Sequence, residues 1–167
     1  MSRSPNNVLI FAYGSNMDLQ QIKERCPNSD LASFLAEARG WKLCFPRESN
    51  KRKGGVGSIE REEGSSVWGV VFSVNERDLA SLDSHEGVPR GRYARGPVEV
   101  YTEQPARAQT YFAVRQREQD FAPPSGLHRP VYPRRKAFWP AGSVYRVLGA
   151  HPRASQIRLI GQMNRPE

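Results

Sequence analysis

The chain settles into its first apolar run at Val8-Leu9-Ile10-Phe11-Ala12, short enough to predict a buried strand. The run stops at Gly14. Residues 18–25, closed by Cys26-Pro27, then predict a helix of a turn or two, with Ser15 and Asn16 as suitable N-caps. Phe34 to Glu37 and Trp41 to Phe45, parted by Arg39-Gly40, predict two strands joined by a tight turn. The polar stretch 48–53 ends in Gly54-Gly55 and predicts a loop. Val56 to Arg61 follows as a strand, in which Gly57 marks a bulge or the close approach of another backbone or a ligand. Residues 62–66 predict a turn. Val67 to Val74 is apolar on both parities, the pattern of a strand buried on both faces. Asn75 is a plausible N-cap with Asp78 in the capping-box position, and the helix it starts carries Leu79 and Leu82 on one side. Gly87 ends that helix as a C′ residue does. Val98 to Tyr101 and Gln109 to Val114 predict two more strands around a turn at 103–106.

Strands outnumber helices in this reading, and no connection demands a long parallel crossover. The expected fold is therefore α+β, a compact mixed sheet curling into a small barrel with a few flanking helices. It occupies residues 1–120. Beyond Asp120 the text changes: seven prolines, from Pro123 to Pro166, rule out a long helix. Residues 121–167 are expected to form a basic, proline-rich, partly disordered extension, with an ordered aromatic lid as the sharper alternative.

Charge changes the picture only after it is located. The net charge is +8, but residues 121–167 hold eight Lys or Arg against one acid, leaving the first 120 residues with 17 bases and 16 acids. The body is nearly neutral, so nucleic acid is not the expected partner. No apolar run is long enough to span a membrane and no signal-peptide pattern opens the chain, which with Cys26 and Cys44 read as reduced thiols makes the expected location cytoplasmic. Three histidines with no ligand spacing argue against a metal site.

Candidate chemistry begins at the Gly14-Ser15-Asn16 break. A strand that stops there and enters a helix leaves N–H groups unpaired, and these favour a carboxylate or a developing oxyanion. The same residues serve equally as an ordinary helix cap. At the other landmark, Leu82 to Val88, Glu86 falls in the last turn of a helix, where the dipole disfavours an anion.

Four stretches in this order, Phe11-Ala12-Tyr13-Gly14-Ser15-Asn16, Gly54-Gly55-Val56-Gly57-Ser58-Ile59, Val67-Trp68-Gly69-Val70-Val71-Phe72 and Leu82-Asp83-x-x-Glu86-Gly87-Val88, resemble the γ-glutamylcyclotransferase family, in the broader AIG2-like group. The resemblance spans roughly residues 8–114 and lies closer to the cyclotransferases proper than to the branch that cleaves glutathione. It implies an enzyme in which the α-amine of a γ-glutamyl compound attacks the γ-carbonyl, giving 5-oxoproline and a free amine without metal or cofactor. Glu86 matches the family's catalytic glutamate, acting as base and then acid; its helix terminus and burial both disfavour the charged form. Backbone donors between Ala12 and Asn16, with Tyr13, Gly14 and Ser15 between them, match the substrate cradle, and Tyr93 matches a pocket tyrosine. Gly14 would be glycine either because substrate approaches it or because its φ is positive. Asp83 is expected to be a structural hydrogen-bonder, and His85 is set aside because helix neighbours point apart.

The family's Pro-Ser-x-x-Tyr continuation is not reproduced: Pro123-Pro124-Ser125 lacks the tyrosine, and Tyr132 and Tyr145 are weak substitutes. Two other readings therefore stand beside the enzyme. One is a carboxylate-binding module of the same fold with impaired turnover. The other is an interaction protein using Arg134-Arg135-Lys136 and Trp139 on nucleic acid.

Overall fold

Each apolar stretch becomes a strand, but the breakers between them divide the chain differently from the expectation. The computed structural model describes residues 7–50, 53–102 and 104–123. In order these form β1 (Asn7–Ala12), a 3-10 turn (Ser15–Met17), α1 (Leu19–Arg25), β2 (Ser33–Ser49), β3 (Gly54–Asn75), α2 (Glu76–Glu86), a second 3-10 turn (Val88–Arg90), β4 (Tyr93–Tyr101) and β5 (Pro105–Ala113). The strands close into a barrel in the order β1-β3-β2-β4-β5, the mixed-sheet barrel with flanking helices that the pattern implied. All neighbours run antiparallel except β1 and β5, which meet in parallel at Ile10 and Gln109.

Four expected elements are in fact two. The turn at Arg39-Gly40 and the turn at residues 62–66 lie opposite each other in one long hairpin, whose register passes from Arg39↔Ser66 to Trp41↔Arg61. One residue of β2 thus faces four of β3. Gly40 (φ +74°) and Gly64 (φ +81°) take left-handed backbone there, so both strands bend and resume pairing instead of reversing. The polar loop at 48–53 shrinks for a related reason, since Glu48 and Ser49 pair with Gly55 and Gly54. Gly57 does sit at a bulge, between the pairs Cys44↔Ser58 and Arg47↔Val56. Arg115 to Ala122 returns along this end of the hairpin: Gln116 N–H donates to Pro46 O at 2.9 Å, Phe121 N–H to Phe45 O at 2.8 Å, and Gly55 N–H to Ala122 O at 2.7 Å.

Period-two alternation sorts the core into two clusters. Phe11, Tyr13, Ala36, Val71, Val98 and Ala108 come from all around the ring and fill its interior. Ile10, Ala12, Val70, Phe72 and Val74 point the other way, beneath Met17, Ile22 and Leu82 of the helical elements. Hence the apolar character of 67–74 on both parities. Gly69 is forced by close approach: a Cβ there would stand 2.2 Å from Ala12 O and 2.6 Å from the Phe11 ring.

α2 is docked by a polar knot at its start. Asn75 caps it, accepting from Asp78 N–H at 2.9 Å. Asp78 does not complete a capping box. Its carboxylate, 2 % exposed as a residue, instead accepts from Asn28 N–H (2.9 Å), Asn28 Nδ2 (2.8 Å) and Ser29 Oγ (2.6 Å), while Asn75 N–H donates to Ser29 Oγ at 3.0 Å. Burial pushes the Asp78 pKa up, but the bonds from Ser29 and Asn28 outweigh it and hold the carboxyl below its ordinary value. The stabilisation is therefore full above the unfolded carboxyl range, near pH ~4, and is lost as pH falls through the lower folded value. Asp78→Ala should cost about 1–3 kcal/mol for each buried donor it strands. Urea titrations of both proteins at pH 7 and pH 3 check this; an equal gap at the two pH values would contradict the pH dependence.

Among the described residues no helix is long and apolar enough to cross a membrane. Most of the basic extension, with Tyr132, Arg134-Arg135-Lys136, Trp139 and Tyr145, lies outside the described residues.

Candidate active site

The expected cap turns out to be displaced by two or three residues. Asp18, not Ser15 or Asn16, caps α1, accepting from Gln20 N–H (2.9 Å) and Gln21 N–H (3.1 Å). Ser15 and Asn16 instead form a 3-10 turn between strand and helix, in which Met17 N–H donates to Gly14 O at 2.9 Å. The bland role assigned to Ser15 and Asn16 is thus already filled by another residue. A turn that starts here leaves the N–H groups of Ser15 and Asn16 without an acceptor inside the turn.

Seventy residues later in sequence, α2 delivers Glu86 to the same place. Asn16 Nδ2 donates to Glu86 Oε1 at 2.9 Å, and Arg25 Nη1 donates to the same oxygen at 3.0 Å. Arg25 Nη1 also donates to Asn16 Oδ1, and Gln21 Nε2 donates to Ser15 O (2.8 Å) and Asn16 Oδ1 (3.3 Å). The Glu86 side chain is only 13 % exposed and that of Arg25 21 %, so this is a shielded ion pair rather than a solvated surface one. The expectation for Glu86 weighed burial and the helix dipole; it did not include a counter-charge. Arg25 and Gln21 were missed. Their signal was a polar pair four apart on one face of a short helix following the turn.

The orientation of α2 is fixed from beneath. Asp83, one turn before Glu86, accepts from Tyr111 Oη on β5 at 2.7 Å and from Arg95 on β4 at 2.8 and 3.2 Å, the structural role expected of it. Burial, then the bond to Asp83, raises the Tyr111 phenol far above its usual range. It remains a neutral donor. The end of β1 is pinned in the same way: Thr110 Oγ1 donates to Phe11 O at 2.7 Å, and Tyr13 Oη donates to Tyr111 O. Burial, followed by the neighbouring Tyr93, raises the Tyr13 phenol well above its ordinary value.

The expected cradle residues thus divide. Ala12 and Tyr13 are buried, Ala12 under the helices and Tyr13 in the ring, whereas Gly14, Ser15 and Asn16 are partly open. Asn16 is the member brought into contact with Glu86. Tyr93 opens β4, half-buried beside Tyr13, with its hydroxyl 3.4 Å from Gly57 O. One of the two reasons offered for Gly14 is corrected: its φ is −134°, not positive, and a Cβ there would meet no atom of the described residues within 4 Å.

A family profile described as gamma-glutamyl cyclotransferase, AIG2-like, matches residues 10–129. A gamma-glutamylcyclotransferase of Bos taurus is 38 % identical over 103 residues, covering 59 % of this chain and 53 % of that protein. That of Homo sapiens is 38 % identical over 104 residues, covering 59 % and 54 %. The chain spans about half the length of the curated relatives it matches. The solved structure of a gamma-glutamyl cyclotransferase superposes with a TM-score of 0.64 at 33 % identity, covering 73 % of each chain. Motif order, barrel topology and these matches agree: the chain belongs to the AIG2-like gamma-glutamyl cyclotransferase family.

Proposed function

We propose that this chain is itself a γ-glutamylcyclotransferase, converting a γ-glutamyl amino acid, peptide or amine to 5-oxoproline and the free amine. The observation that carries the reading is the contact between Glu86 and Asn16, which sets a shielded carboxylate against a turn whose first N–H groups have no acceptor inside the turn. The substrate's α-amine, as the free base, adds to its γ-carbonyl carbon and forms the ring C–N bond. The proton it sheds passes to Glu86. The carbonyl oxygen carries the negative charge of the tetrahedral intermediate and faces the N–H groups of Ser15 and Asn16, an oxyanion site of the usual kind. The intermediate collapses by breaking the exocyclic C–N bond, and Glu86 returns the proton to the departing nitrogen. Holding the glutamyl chain bent supplies the rest; orientation is worth up to about 7–11 kcal/mol in model reactions. Gly14, open on its substrate side, and Tyr93, at the mouth of the ring, border the bound glutamyl group.

Two buried free thiols support a reducing, cytoplasmic setting for this reaction. The partner in this reading is a small molecule; membrane and nucleic acid play no part. The test is purified full-length chain incubated with γ-glutamyl-alanine, a γ-glutamyl dipeptide and a γ-glutamyl amine, with 5-oxoproline measured by mass spectrometry. Formation from at least one is expected, and its absence from all would overturn the proposal in favour of a binding module.

A further inference from the structure

The reading of Glu86 as acid and base leaves unexplained why a guanidinium occupies the same oxygen. We infer that Arg25 is a positioning residue for the cyclisation, locking the Asn16 amide and one oxygen of Glu86 in the arrangement that turnover requires. This inference rests on the function proposed above.

Three observations support it. Arg25 is a donor only, so the Asn16 oxygen must face it and the Asn16 nitrogen must face the carboxylate; Arg25 thereby selects the amide orientation that binds Glu86. Both donors converge on Oε1, and among the described residues no bond to Oε2 accompanies them. Oε2 is thus the oxygen available to receive the substrate proton. Finally, Arg25 bonds directly from α1 to the end of α2 and to the 3-10 turn, closing the triangle whose other sides are the Gln21 bonds to the turn and the Asn16 bond to Glu86. The ion pair also places a counter-charge 3.0 Å from a shielded carboxylate at a helix C-terminus. None of this requires Arg25 to touch substrate.

The inference separates from a purely structural role by what each variant loses. In Arg25→Met the carboxylate and amide keep their places in sequence but lose their common clamp. Against γ-glutamyl-alanine, kcat is expected to fall roughly 10- to 100-fold, the scale of a small misplacement of reacting groups, while the Kd for 5-oxoproline measured by NMR titration changes less than about threefold. Arg25→Lys should recover only part of the rate, since an ammonium keeps the charge but not the planar fork. Added methylguanidinium should raise kcat of Arg25→Ala and leave wild type unaffected, which repair of mere stability would not do at a temperature where both are folded. Should Arg25→Met fail to fold, the lysine variant and the rescue of the alanine variant at low temperature carry the same comparison. Wild-type turnover with a folded Arg25→Met protein within about twofold of it would overturn the inference alone. So would a loss that matches the folded fraction and ignores methylguanidinium. Absence of wild-type turnover on every γ-glutamyl compound would remove the proposed function, and this inference with it.

Discussion

Glu86→Gln is expected to lose roughly 10²-fold or more in kcat against a γ-glutamyl substrate while binding 5-oxoproline nearly as well as wild type. The amide is isosteric and retains an oxygen that can accept from Asn16 and Arg25, so the cradle keeps its shape. It cannot carry a proton between the attacking and departing nitrogens. The two quantities must be measured together, because a fall in both would report collapse of the Asn16–Arg25–Glu86 cluster rather than loss of a base. A glutamine variant with near-normal turnover would remove Glu86 from the mechanism and leave it a structural partner of Arg25.

Gly14→Val is expected to abolish turnover in a protein that still folds. The structure sharpens this expectation, since a Cβ at position 14 meets no atom of the described residues within 4 Å and φ is negative. No atom of the described residues opposes the substitution, so in a variant shown to keep its fold and its Ser15–Met17 turn a loss of activity is expected to come from a ligand that needs the vacant space. Thermal unfolding should place the variant within a few degrees of wild type. NMR titration should then show 5-oxoproline no longer perturbing the amides of Ser15 and Asn16. A folded valine variant with full activity would mean that the turn is open for some reason other than substrate.

Much of the fold was legible because burial leaves a periodic trace. The run 67–74 declared two buried faces, and the Asn75 to Gly87 helix declared both its ends. A breaker does not always reverse the chain. Gly40 and Gly64 are breakers, but they face one another across a ladder that continues on either side, and a single sequence does not show which irregularities are opposite. At the site, Glu86 and Asn16 could be singled out through local motif context. Their contact could not, because 70 residues separate them. Arg25 was illegible for a related reason: a basic residue in a last helical turn is satisfied by the helix dipole itself, and only the packing of α1 beside α2 reveals a second partner.

The seam between β1 and β5 has a kinetic consequence. Those strands lie about a hundred residues apart in sequence, yet a single backbone register pair, Ile10↔Gln109, joins them, backed toward the site by the hydroxyls of Thr110 and Tyr13. Closing the ring therefore spends the largest loop entropy in the molecule on very few bonds, so the long β2–β3 hairpin and the β4–β5 pair should assemble first and the ring should close last. Pulse-labelled hydrogen exchange during refolding would register the order, with amides of the β2–β3 ladder protected before the Ile10–Gln109 pair; simultaneous protection would show that the ring forms in one step. Because that final closure is what anchors Phe11 and Tyr13, which lead into the Ser15–Asn16 turn, on β5, a chain late in folding would hold nearly all its secondary structure and still lack a working centre.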